Sequence, residues 1–75
     1  MREIKVGSYY RHFKGTMHKV IAIAKHSETL EDLVIYTHEE TDEIWARPYL
    51  LFNSLVDREK YPQAEQKYRF EEVQL

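Results

Sequence analysis

The chain has 75 residues, no cysteine, two glycines and a formal net charge of −2. This length admits one domain, residues 1–75, burying only roughly 60 % of the surface of its unfolded chain; without cysteine, a disulfide framework, a thiolate metal site and a cysteine nucleophile are excluded. The longest apolar run, Val20–Ala24, is far below the ~18 residues of a membrane span, and residues 1–5 lack the apolar centre of a secretory signal, so a cytoplasmic protein is expected.

Gly7-Ser8 reads as a turn ahead of Tyr9–Phe13, a short aromatic strand. Lys14-Gly15 follows, glycine offering the positive φ that a tight hairpin demands. Met17–Lys25, largely β-branched or small and apolar at its centre, has no N-cap and predicts a central strand covered on both faces. Ser27–Asp32 is a polar corner whose hydroxyls suit turn amides. Leu33–Thr37 is a third strand, Glu39–Glu43 an acidic hairpin loop, and Ile44–Arg47 a fourth strand. Side chains two apart on a strand share a face, so Trp45 and Arg47 stand together, opposite Ile44 and Ala46. Pro48 cannot donate to a ladder and must end the strand or sit at an edge. Phe52, Leu55 and Val56 recur at helical spacing and predict one short turn plugging the barrel end. After a charged loop, Asp57–Lys67, the alternating Tyr68–Val73 closes the sheet. The pattern is an all-β, partly open barrel of about five strands with one short helical turn.

The ordered string Tyr10-Arg11-His12-Phe13-Lys14-Gly15, Val20, Ile23-Ala24, His26-Ser27-Glu28-Thr29, Glu31, Val34, Tyr36, Trp45-x-Arg47-Pro48, Phe52 and Arg69-Phe70 resembles a bacterial family, domain of unknown function 1653, over about residues 7–73. The resemblance implies a small SH3-like β-barrel, usually free-standing, and implies no reaction. Met17-His18 stands where the resemblance leads one to expect an aromatic, at the cost of a stacking position, and the Asp57–Lys67 loop lacks an expected glycine.

The charges are unevenly placed: residues 1–30 carry a surplus of four positive charges and residues 31–75 a surplus of six negative ones. Such polarity can steer an anionic partner, although it is also common in small domains. His26, Ser27 and Glu28 are the residue types of a hydrolytic triad, but neighbours in extended chain cannot converge as nucleophile, base and orienting acid; only a turn at Ser27 would allow it. Glu28 paired with Arg47 would make a purely architectural network. The histidines lack the paired spacing of a zinc site, so no metal, no cofactor and no catalytic residue is expected.

Arg47 offers a planar fork for an anion and Trp45 a platform for stacking. The expected site therefore joins the corner His26, Ser27, Glu28, Thr29 and Glu31 to Trp45 and Arg47, flanked by His12 and Tyr36. The expected function is a binding module for single-stranded nucleic acid or a nucleotide-like, anionic ligand. A protein segment is the rival partner, and a small enzyme using His26 and Glu28 as acid and base the further alternative. Neither a membrane nor more than a weak dimer is expected.

Overall fold

The computed structural model describes residues 2–74. Five strands, β1 (Tyr9–His12), β2 (Met17–Lys25), β3 (Asp32–Thr37), β4 (Ile44–Pro48) and β5 (Phe70–Val73), are joined by one helical turn, α1 (Tyr49–Phe52), between β4 and β5. They make one unclosed antiparallel sheet in the order β4-β3-β2-β1-β5. Four strands follow one another as hairpins, and the fifth returns beside the first. This is the small, partly open SH3-like arrangement expected, though β5 begins at Phe70 and α1 ends at Phe52.

The barrel curves because β2 serves two neighbours in turn. Met17–Lys19 pair with β1 and Val20–Lys25 with β3, with a register shift between Val20 and Ala22, and a bulge bends the strand that carries it. Gly15 closes the β1–β2 hairpin at φ +105°. Its amide donates to the His12 carbonyl at 2.7 Å, a backbone path that costs glycine no Cβ clash.

The core comprises Ile4, Tyr10, Val20, Val34, Tyr36, Phe52 and Phe70 on the inner face. The N-terminal segment is tied across it by two phenols: Tyr49 Oη accepts the Ile4 amide at 2.8 Å and Tyr10 Oη the Lys5 amide at 2.9 Å. Arg2 adds bonds to Asn53 Oδ1 and the Phe70 carbonyl. All this covering material lies on one side of the sheet. Hence β2 is central but covered on one face only, correcting the expectation of two: Ile21 and Ile23 remain 39 % and 38 % exposed. The charged loop is fixed without a glycine. Arg58 donates to the carbonyls of Ala64 and Gln66 at 2.8 and 3.1 Å, and the buried Gln66 exchanges hydrogen bonds with Arg11.

Phe52, fully buried, lies flat on Phe70 with ring centres 4.0 Å apart and presents its edge to Tyr10 and Tyr36 at 5.5 and 5.4 Å. Truncating such a ring costs about 3–5 kcal/mol, against a total stability of about 4–11 kcal/mol for a domain this size. Phe52→Ala should therefore leave a chain at the edge of unfolding at 25 °C. Urea denaturation followed by circular dichroism checks this, and a loss below about 1 kcal/mol would contradict the assigned core.

Candidate functional site

The pairing register decides which side chains meet. Trp45 lies opposite Tyr36 and Arg47 opposite Val34; His12 lies opposite Phe70 and Tyr10 opposite His18. Cross-strand partners share a face, so Trp45, Arg47, His12, His18, Tyr36 and Phe70 all project from the inner side. The covering layer leaves one end of that side open. There, His12, Lys14, Thr16, His18, Tyr36, His38, Trp45, Arg47 and Phe70 line a cleft of about 180 Å³.

Tyr36, 2 % exposed, forms its floor, whereas Trp45 keeps 40 % of its surface in solvent and serves as a wall rather than as core. Arg47 is half-buried. Its Nε donates to Tyr36 Oη at 3.3 Å and its guanidinium carbon lies 5.4 Å from the centre of the Phe70 ring. The Glu28–Arg47 pair considered from the sequence does not form. The ion pairs among the described residues are Lys5–Glu72 and Lys25–Asp32, and no residue lining the cleft is acidic. Arg47 thus carries its charge into a partly desolvated, aromatic setting with its two terminal nitrogens unbonded to other described residues.

The histidines have distinct local roles. His12 Nδ1 accepts the Lys14 amide at 3.1 Å, His38 Nδ1 the Glu40 amide at 3.3 Å, and His26 Nδ1 the Glu28 amide at 3.1 Å. Each imidazole caps a turn from its first residue, as an Asx side chain does. A backbone amide is always a donor, so in the neutral ring the proton sits on Nε2. His12 and His38, which line the cleft, therefore carry their protons on Nε2, the nitrogen that no turn engages. His18, 4 % exposed, has both nitrogens engaged. Its Nδ1 donates to the Thr37 carbonyl at 3.0 Å and its Nε2 accepts from Thr16 Oγ1 at 2.8 Å. Its ring meets Tyr36 and Phe70 edge-on at 5.3 and 5.5 Å.

Of the nine residues expected to form the site, His12, Tyr36, Trp45 and Arg47 converge on this cleft. His26, Ser27, Glu28, Thr29 and Glu31 instead make the tip of the β2–β3 hairpin. His26 exchanges backbone bonds with Leu30 and Glu31, its Nδ1 is engaged by the amides of Glu28 and Thr29, and Thr29 Oγ1 accepts the Glu31 amide at 3.3 Å. No hydrogen bond joins Ser27 to His26 among the described residues, and Glu31 lines a different cleft, with Leu30, Pro48 and Leu50. Lys14, Thr16, His18, His38 and Phe70 complete the cleft without having been anticipated. The one available sequence cue was His12 two residues before the Lys14-Gly15 turn.

An all-β domain presenting a small aromatic, cationic cleft is the class that fold and site define. The chain belongs to the family described as protein of unknown function (DUF1653), whose model matches residues 8–72. Neither the curated proteins nor the solved structures compared with the chain yield a match.

Burial pushes His12 down from 6.5 to about 4, helped by the charges of Arg47, His18, Arg69 and Lys14; burial likewise lowers His18 against the bond to the Thr37 carbonyl. Unfolded, both rings take up a proton near pH 6.5, whereas folded His12 resists down to about pH 4. Between those limits the unfolded chain binds more protons, so stability rises with pH. The contribution is complete above pH 6.5 and is lost as pH falls toward 4. The urea midpoint should drop on going from pH 7 to 4.5, and less so in His12→Gln; equal drops in both proteins would contradict the lowered affinity of the half-buried His12 for a proton.

Leu30 occupies the left-handed region at φ +64° and is 68 % exposed. That conformation costs a non-glycine residue about 1–2 kcal/mol, against about 0.5–1 kcal/mol for glycine's extra entropy. Leu30→Gly should raise stability by about 0.5–1 kcal/mol in thermal unfolding, and a lowered melting temperature would show that Leu30 makes compensating contacts.

Proposed function

We propose that the protein is a binding module whose cleft takes one nucleotide unit of single-stranded nucleic acid or a nucleotide-like anionic ligand. One observation carries this reading. In a chain of net charge −2, the cleft gathers Arg47, Lys14 and Nε2–H donors from His12 and His38 with no carboxylate among its lining residues. A half-buried cation without an acidic partner is an open position for an anion, and Arg presents two parallel donors to a phosphate. Trp45 and the neighbouring His38 ring, 5.4 Å apart, supply flat faces for a base. The volume agrees: about 180 Å³ is below the roughly 300–1,000 Å³ of sites that enclose a whole small molecule. It admits a single ring and leaves the rest of the ligand outside.

Trp45 is the chain's one tryptophan, so intrinsic fluorescence reports from the cleft itself. Short single-stranded oligonucleotides at low salt should change that emission, and the effect should fade as salt rises, because released counterions no longer favour binding. By anisotropy of labelled oligonucleotides, Trp45→Ala should weaken binding by about 1–3 kcal/mol, the usual worth of one base–aromatic stack, and Arg47→Ala by a comparable amount. Unchanged emission across mixed-sequence DNA and RNA oligonucleotides would overturn the proposal.

A further inference from the structure

A second cleft, about 370 Å³, lies beside the first and is lined by Phe13, Lys60, Tyr61 and Pro62 among others. The two share Lys14. Other clefts in the surface contain carboxylates: Glu39 and Asp42 in one, Glu31 and Asp32 in another, Glu65 in a third. The two that adjoin at Lys14 contain none. The first also shares His18 and His38 with the cleft of Glu39 and Asp42, and the second shares Phe13, Gln63 and Ala64 with that of Glu65. The acids thus stand at the margins, while the lining joined at Lys14 is itself free of them and suited to an anion.

A row of rings also runs along this lining, with the buried His18 beneath it. Trp45 and His38 are 5.4 Å apart, His38 and His18 4.9 Å, His18 and His12 6.4 Å, His12 and Phe13 4.5 Å, and Phe13 and Tyr61 4.8 Å. Cations punctuate it. Arg47 lines the first cleft; Lys14 Nζ lies 5.1 Å from the Tyr61 ring centre and 5.9 Å from that of Phe13; Lys60 Nζ lies 5.6 Å from the Tyr61 ring centre. Aromatic faces interleaved with mobile cations are the combination by which single strands are held without base-pair readout. A free mononucleotide filling the small cleft would leave the Phe13–Tyr61 shelf and Lys60 unused.

Resting on the nucleotide reading of the Arg47 cleft, we infer that the Phe13–Tyr61 shelf is a second stacking subsite, so that the ligand is a single strand of at least two nucleotides. One base enters beside Trp45, a base further along the strand lies on Tyr61, and a phosphate between them sits on Lys14. Lys60 meets the phosphate beyond. Stacking and phosphate contacts are common to RNA and DNA, so the two sources are separated by experiment.

The test uses the full chain with fluorescein-labelled hexauridylate and hexathymidylate, and uridine and thymidine monophosphates as competitors, at 50 and 200 mM salt. Expected are hexamers binding at least about tenfold more tightly than the monophosphates, and Tyr61→Ala weakening the hexamers about tenfold while monophosphate competition is unchanged. Tyr61→Phe, which keeps the ring, should restore hexamer binding. Lys14→Ala should flatten the salt dependence by about 0.7 in the slope of log affinity against log salt, one phosphate's worth on a single strand. Preference for one hexamer assigns the source. If Tyr61→Ala and Phe13→Ala both bind hexamers like the native chain while Trp45→Ala does not, the second subsite is overturned and the first cleft stands. If native protein binds neither hexamer nor monophosphate, both readings fall.

Discussion

Phe52 lies flat against Phe70, and that contact, beside the backbone bonds of Ser54 and Val56 with Arg69 and Lys67, fastens the end of α1 to the start of β5. Phe52 ends the helical turn after β4, whereas Phe70 begins β5, the strand that returns beside β1. Only eight hydrophobic side chains among the described residues are buried, so there is little redundancy, and a small domain feels each loss. The stack also draws Tyr10 and Tyr36 edge-on around it. Four aromatic rings from four elements thereby hold an open sheet in its curved form.

The cleft is a consequence of that packing. Phe70 and Tyr36 belong to the core by their burial and to the cleft by their position at its open end. The Tyr36 hydroxyl fixes Arg47, and the Phe70 ring lies under its guanidinium. Around this floor, His12 and His38 are held by the turns they cap, so their Nε2 nitrogens need no further support. Such side chains are preorganised, and little ordering entropy is left for a ligand to overcome. The same burial disfavours a proton on His12, while Arg47 and Lys14 bring positive charge to the cleft.

Much of the fold was legible in the residues. Gly15, the alternation of β3 and β4 and the break at Pro48 mark strands and turns by local chemistry, which needs no knowledge of distant contacts. The covering of β2 was not legible, because an apolar run reads alike whether one face or both are packed; Ile21 and Ile23 are exposed since all covering segments lie on the other side. The site divides in the same way. Trp45 and Arg47 share a face by simple spacing, but their meeting with His12, His18, His38, Lys14 and Phe70 depends on register between strands up to fifty-eight positions apart (His12 opposite Phe70). Register also explains the corner: His26 to Glu31 lie past the Lys25–Asp32 pair, at the hairpin tip, where their polar groups are spent on their own turn.

On the proposed reading the ligand binds at the acid-free aromatic cleft, and not at the hairpin tip. An amide-fingerprint NMR titration with pooled short RNA and DNA oligonucleotides, at low and then high salt, tests it most directly. Shifts concentrated at the Trp45 indole N–H, the Arg47 Nε–H and the amides of His12–Thr16 and Thr37–His38, fading as salt rises, are the predicted result. A spectrum that does not move, or one that moves only at His26–Glu31, would contradict it.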